Sequence, residues 1–116
     1  MTLENQNIDF YTQNKVGIVV TIYDESGAYK DLTGAEISWF LYDGNTNEVI
    51  LTKTTASGIT ILNALNGTVL ISIEPEDSFN IKPANWYKHE IYVVDGSGNE
   101  STVTTGYVEI KRSVKQ

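Results

Sequence analysis

Apolar and polar residues alternate with a period of two along much of this chain, whereas helical spacing is almost absent. Such alternation is typical of half-buried β-strands, because successive side chains point to opposite faces of a sheet. Turns rich in Gly, Asn and Asp separate the alternating segments. The predicted strands cover residues 16–23, 37–42, 49–54, 59–62, 68–73, 86–95 and 102–111. Residues 59–62 either continue the preceding strand or form a short strand of their own.

One break between strands has a different composition. Residues 74–81 begin Glu-Pro-Glu-Asp, which places Pro75 in a first-turn position and carboxylates at the positive end of a helix. We therefore predict one short helical turn near residues 75–80, crossing from one sheet to another. Short strands joined by such turns favour an all-β antiparallel sandwich or barrel. The length of 116 residues fits a single domain over 1–116, with residues 1–6 and 113–116 as flexible ends.

The stretch KDLTGAEISWFLYDG, residues 30–44, shows how strand parity assigns the core. Leu32 is an apolar anchor before a bend at residues 33–34, and the strand that follows places one set of side chains inward and the alternate set outward. The outward set contains Phe40 and Tyr42, and two exposed aromatics on one face indicate a surface covered by the chain ends or by another subunit. The predicted inward residues are Ile37, Trp39 and Leu41. In the last strand Val103 has the opposite parity to Val108, which predicts a β-bulge between them, near Gly106.

Charge and composition narrow the function classes. The formal net charge is −7 with only 8 Lys and Arg, so we expect no nucleic-acid binding, which requires a basic face. Without cysteine, neither a disulfide nor a thiolate metal site can form. No apolar run approaches the ~18 residues of a membrane span, and the segment MTLENQNIDF predicts no secretory signal. The basic residues Lys111, Arg112 and Lys115 are interpreted as a solvated end, with contact to an acidic partner as the alternative.

No residue pattern indicates catalysis. The one histidine, His89, lies between apolar neighbours of the same parity and is interpreted as a hydrogen-bonded core residue. Residues 43–48 imitate half of a calcium loop, but Glu48 replaces the required glycine, so a hairpin turn is expected. The carboxylates of Glu74, Glu76 and Asp77 are interpreted as a solvated acidic turn. We therefore predict no enzyme activity, no metal and no cofactor.

One ordered set of turns and strands is more specific than these motifs. In chain order, its segments are 24–27 (DESG), 31–35 (DLTGA), 57–59 (SGI), 66–71 (NGTVLI), 74–78 (EPEDS), 86–91 (WYKHEI), 94–98 (VDGSG) and 102–106 (TVTTG). This set resembles the immunoglobulin-like β-sandwich of tailed-phage structural proteins, in particular the N-terminal domain of phage baseplate upper proteins. The resemblance covers about residues 7–112.

This resemblance implies an immunoglobulin-like sandwich of about seven to eight strands. It also implies a non-enzymatic virion protein that acts as a baseplate or tail docking and oligomerisation module, with other virion proteins and its own copies as partners. The predicted contact residues are Phe40, Tyr42 and Tyr92. The alternative function is a carbohydrate-binding or adhesive module, with Trp86 and Tyr87 as the platform on which a sugar ring would stack.

Overall fold

The computed structural model describes residues 8–12, 14–24 and 26–112. Within them, eight strands and one short 3₁₀ helix form a two-sheet sandwich. The predicted flexible ends, residues 1–6 and 113–116, lie outside the described residues. The strands are β1 (Ile8–Tyr11), β2 (Val16–Thr21), β3 (Glu36–Asp43), β4 (Val49–Thr54), β5 (Ile59–Asn63), β6 (Thr68–Ile73), β7 (Ala84–Val94) and β8 (Glu100–Lys111).

The strand order is that of an immunoglobulin-like sandwich. The larger sheet has the order β1-β8-β7-β3-β4 and the smaller sheet the order β2-β6-β5. With β2 taken as strand B, the smaller sheet reads B-E-D and the centre of the larger sheet reads G-F-C, as in immunoglobulin domains. The predicted fold class is confirmed. One pairing departs from the antiparallel rule, since β1 runs parallel to β8.

The sequence prediction located most elements closely. The bounds of β4 and β6 are the predicted ones, and β5 is a strand of its own rather than a continuation of β4. The predicted helical turn is the 3₁₀ helix Pro75–Ser78, which joins β6 in the smaller sheet to β7 in the larger sheet. The β7–β8 register shifts between the partners Thr104 and Thr102, so the irregularity lies at Val103, and the predicted position near Gly106 is wrong. Strand β1 was not predicted.

The core lies between the two sheets and follows strand parity. Trp39 and Leu41 have no exposed surface and Ile37 is 1% exposed, as predicted. The anchor Leu32 is fully buried, and its N–H donates to the carbonyl oxygen of Ala64 at 2.8 Å. The bend before β3 is fixed by Asp31, whose carboxylate accepts hydrogen bonds from the backbone N–H and the hydroxyl of Thr33. The polar stretch before β3 therefore has a structural role, because it forms the bend that leads into the strand.

Candidate functional site

The outer face of the larger sheet brings the three predicted contact residues together. Phe40 and Tyr42 lie on β3, and Tyr92 lies on the adjacent strand β7, opposite Ser38. All three side chains point away from the core, because their neighbours in sequence are buried. The expectation that Phe40 and Tyr42 are exposed is wrong, since both are half-buried. Their register partners on β7 are Glu90, opposite Phe40, and Lys88, opposite Tyr42.

Sequence reasoning missed two further aromatics on this surface. Tyr42, Lys88 and Tyr107 form one cross-strand row over β3, β7 and β8. Tyr107 is 57% exposed, and the Lys88 Nζ lies 5.4 Å from the centroid of its ring. Tyr11 on β1 is 47% exposed, with the Lys111 Nζ 5.4 Å from its ring centroid. The parity of Tyr107, opposite to that of the buried Val108, is the signal that identifies it. We call Tyr11, Phe40, Tyr42, Tyr92 and Tyr107 the aromatic face.

Carboxylates hydrogen-bond two hydroxyl groups of this face, those of Tyr42 and Tyr92. Burial raises the pKa of Tyr42, and the charge and hydrogen bond of the Glu90 carboxylate raise it further. The Tyr92 hydroxyl donates to the Glu100 carboxylate, and this hydrogen bond raises the pKa of Tyr92. Both phenols therefore stay protonated at neutral pH. Lysine cations lie beside two other rings of the face, Tyr107 and Tyr11.

Tyr87 does not belong to an exposed platform. Its side chain is 4% exposed, and its hydroxyl donates to the Lys82 carbonyl oxygen at 2.6 Å. Burial raises the pKa of Tyr87, and the Asp43 charge adds to the shift. This geometry is the tyrosine corner of immunoglobulin-like sandwiches, at the start of strand F. The predicted pairing with Trp86 as a sugar platform is wrong for Tyr87. Trp86 remains 38% exposed, with the Lys82 Nζ 6.0 Å from its ring centroid.

His89 is a core residue, as its position between apolar neighbours predicted. It has no exposed surface, and its Nδ1 accepts a hydrogen bond of 3.0 Å from the Nε1–H of Trp39. An accepting Nδ1 carries no proton, so the neutral ring holds its proton on Nε2. The position of His89, two residues after the corner Tyr87, is that of the second cysteine in antibody domains. In those domains this cysteine forms the disulfide to strand B of the other sheet, whereas His89 bonds the strand-C tryptophan within its own sheet.

The two acidic segments are structural turns. In residues 43–48 the Asp43 carboxylate accepts from the backbone N–H of Asn45 at 2.7 Å, and Asn47 has a positive φ of 62°, as in a tight hairpin. The expectation that Glu74, Glu76 and Asp77 form a solvated turn holds only in part, because the Asp77 carboxylate is hydrogen-bonded within the protein. Asp77 accepts from the Lys53 Nζ at 2.6 Å and from the backbone N–H of Glu74 at 2.7 Å, which closes a capping box. Within the described ranges, no cluster of three or more His, Cys, Asp or Glu residues has the geometry of a metal site.

Comparisons with known proteins do not identify this chain. No protein-family model matches it, and no curated protein is similar to it in sequence. Within the part of the chain that the structure describes, no helix has the length and hydrophobicity that a membrane crossing requires.

Proposed function

We propose that this chain is a non-enzymatic structural protein of a phage particle, in which the aromatic face contacts identical or neighbouring subunits of a baseplate or tail. The observation that carries the proposal is the concentration of five aromatic rings on one outer sheet surface. Interfaces are enriched in aromatic residues. Here Phe40 and Tyr42 lie on β3, at one side of the face, with Glu90 and Lys88 opposite them on β7. Tyr107 and Tyr11 follow on β8 and β1, each with a lysine beside its ring.

The physical state of these rings favours binding. Phe40 and Tyr42 are half-buried between neighbouring strands, and Tyr42 is additionally held by Glu90. Ordered side chains lose little conformational entropy when a partner covers them. Lysine near a tyrosine ring contributes about 0.5–1 kcal/mol while exposed, and more once water is removed. A partner that covers this face therefore gains from burying aromatic area without first ordering it.

The assignment to a virion rests on the resemblance of the turn and strand pattern to tailed-phage sandwich domains. The immunoglobulin-like strand order supports the fold that this resemblance implies. In a closed assembly, weak contacts repeated over many copies add to a stable particle. The direct test is mass spectrometry of purified tailed particles from the source of this sequence. Stoichiometric amounts of the chain support the proposal, and its exclusion from the particles contradicts it.

The role of the aromatic face is tested by native mass. We would measure size-exclusion chromatography with light scattering over a wide concentration range for the parent, Phe40→Ser and Tyr42→Ser. The control is Leu65→Ser, which removes an equally apolar side chain, 69% exposed, from a loop outside the sheet. Each face variant should raise the midpoint concentration of assembly at least about tenfold while the control behaves as the parent. If both face variants assemble like the parent, the assignment of this surface fails.

The exposed Trp86 ring is the one observation that favours the alternative, a carbohydrate-binding module. Only Trp86 and Trp39 contribute indole fluorescence, and Trp39 is fully buried. A change in emission on adding cell-wall polysaccharide, lost in Trp86→Ala, would therefore report sugar on Trp86. Unchanged emission over a broad glycan panel would count against this alternative.

A further inference from the structure

Within the described residues, one edge of the smaller sheet is open along its whole length. Among the described residues, β2 pairs with β6 alone. The Ile22 N–H donates to the Gly67 carbonyl at 2.8 Å, in register with the β2–β6 ladder. Hydrogen-bonded positions alternate in an antiparallel ladder. Residues 16, 18 and 20 are therefore bonded to β6, whereas Gly17, Val19 and Thr21 direct their backbone N–H and C=O groups to the open edge.

This edge lacks the features by which proteins protect open strands. Its sequence, VGIVVT, contains no charged residue and no proline, although the whole chain carries a formal charge of −7. Val19 is 62% exposed. The other sheet edges differ: β1 carries Asp9, β4 carries Lys53, and β5 has a register irregularity next to Leu62. Such charges and bulges prevent strand addition, and an uncharged apolar edge invites it.

We propose that two copies of this chain associate through β2, antiparallel and edge to edge, so that their smaller sheets form one continuous six-stranded sheet. A two-fold axis makes such a contact self-complementary. Opposed residues in an antiparallel pair share a face, so Ile18 must oppose an inward residue. A register with Ile18 facing the second copy's Ile18 meets this condition. It also pairs Gly17 with Val19 of the second copy, both of which have edge-directed backbone groups.

Side-chain complementarity favours this register. A Cβ on Gly17 would lie 3.2 Å from the Leu70 Cδ1, so Leu70 already covers that glycine on the outer surface. The second copy's exposed Val19 would come opposite Gly17 and pack against Leu70. Since Gly17 has no side chain of its own, Leu70 stays accessible to that Val19. The two-fold symmetry forms this contact two times, once on each side of the axis.

Charge and shape also favour a second copy. Lys15, whose side chain is 74% exposed, precedes β2, and Asp24 follows it. Antiparallel pairing brings Lys15 of each copy to the end of the strand where the other copy has Asp24. A groove of about 670 Å³ runs along this edge, with Ile8, Ile18 and Val108 in its lining. Its lining also contains Asp9, Tyr107 and Glu109, so the side chains of an added strand would meet both apolar and acidic groups there.

This inference does not rest on the virion assignment. The β2 edge belongs to the smaller sheet, whereas the aromatic face lies on the outer surface of the larger sheet. Variants at Val19 and at Phe40 therefore test separate contacts, and either one can fail alone.

The decisive variant is Val19→Pro. Proline removes an N–H that points to the open edge and not to β6, so the β2–β6 ladder stays intact. A second variant, Val19→Lys, places a charge at the contact. The control is Thr60→Lys, which places the same charge on an exposed position of β5, the far strand of the same sheet. Native mass against concentration is measured for all four proteins, together with hydrogen exchange of the Gly17, Val19 and Thr21 amides.

We expect the parent to dimerise with rising concentration and these three amides to become protected in step. Both Val19 variants should raise the dimer dissociation constant at least about tenfold, with unchanged circular dichroism, and Thr60→Lys should dimerise as the parent does. The proposal is overturned by a parent that stays monomeric at every concentration or by a parent dimer in which these three amides stay unprotected. It is also overturned by Val19→Pro dimers in which the Gly17 and Thr21 amides still become protected. Protection of these amides in the monomer would also overturn it, because another segment of the same chain would then cover the edge.

Discussion

The indole Nε1–H of Trp39 donates to the Nδ1 of His89 at 3.0 Å, between adjacent strands and with neither side chain exposed. The bond joins β3 to β7 at the centre of a sandwich that contains no cysteine. Breaking it leaves a polar nitrogen in an apolar interior, a situation that costs about 1–3 kcal/mol.

We expect Trp39→Phe to lower the free energy of unfolding by about 2–4 kcal/mol, because it removes both the donor and part of the core volume. Urea unfolding followed by circular dichroism measures this loss. A double-mutant cycle with His89→Leu isolates the hydrogen bond, with an expected coupling of about 0.5–3 kcal/mol. Strict additivity of the two losses would show that the bond contributes nothing beyond packing.

The tyrosine corner gives a second prediction. Tyr87→Phe keeps the buried ring and removes the hydrogen bond to the Lys82 carbonyl, so we expect a loss of about 1–2 kcal/mol. Thermal unfolding monitored by circular dichroism is the measurement. Tyr29→Phe, at a ring that is 56% exposed, is the matched control and should change stability by less than about 0.5 kcal/mol. Equal losses in the two variants would show that the hydrogen bond of the tyrosine corner does not stabilise the fold.

The lowered pKa of Asp77 predicts how the free energy of unfolding depends on pH. Burial by itself would raise its pKa, but hydrogen bonds from Lys53 and from the Glu74 backbone outweigh burial and lower the pKa below the usual 3.8. A lowered pKa in the folded state means that the stabilisation is present above the unfolded value and is lost as the pH falls through the folded value.

Asp77→Asn should therefore be less stable than the parent by about 1–3 kcal/mol at pH 7. The difference should shrink once the pH falls below about 4. Unfolding free energies of both proteins over this pH range provide the test. A difference that is constant with pH would mean that the Asp77 charge has no part in it.

Two glycines with positive φ allow the cost of backbone strain to be measured separately from the cost of a steric clash. A Cβ on Gly67 would overlap the Ile22 carbonyl oxygen and lie 3.0 Å from that of Lys30, whereas a Cβ on Gly27 would meet no atom within 4 Å. We expect Gly67→Ala to cost about 2–4 kcal/mol and Gly27→Ala about 1 kcal/mol. Chemical denaturation of the two variants measures both. Similar losses would show that Gly67 is required for its positive φ, and not because the Ile22 carbonyl oxygen lies close to it.

Strand parity carried most of the fold prediction, because each strand has one buried face. It assigned Ile37, Trp39 and Leu41 correctly and also placed Tyr87 on the same face as His89. The platform hypothesis for Tyr87 followed instead from its position beside Trp86. Parity was the better guide, since adjacent residues of a strand point to opposite faces.

The sequence pattern did not predict which distant segments pair in the sheets. Strand β1 has four residues, and its parallel partner β8 lies about a hundred residues along the chain, so no local signal marks the pair. The half-burial of Phe40 and Tyr42 also depends on neighbouring strands. Parity gives the face of a residue, but Glu90 and Lys88, which lie opposite these rings, become neighbours only when β7 pairs with β3.

The parallel pairing of β1 with β8 has a mechanical consequence. Ile8 lies opposite Val108 and Tyr11 opposite Lys111, so the chain enters this strand pair at one end and leaves it at the other. Tension applied between Ile8 and Lys111 acts along both strands and loads their hydrogen bonds in shear, all together, rather than opening them one by one. Force spectroscopy should therefore show rupture of this pair as one high-force event, and a subunit pulled from both ends would transmit load through its β1–β8 ladder.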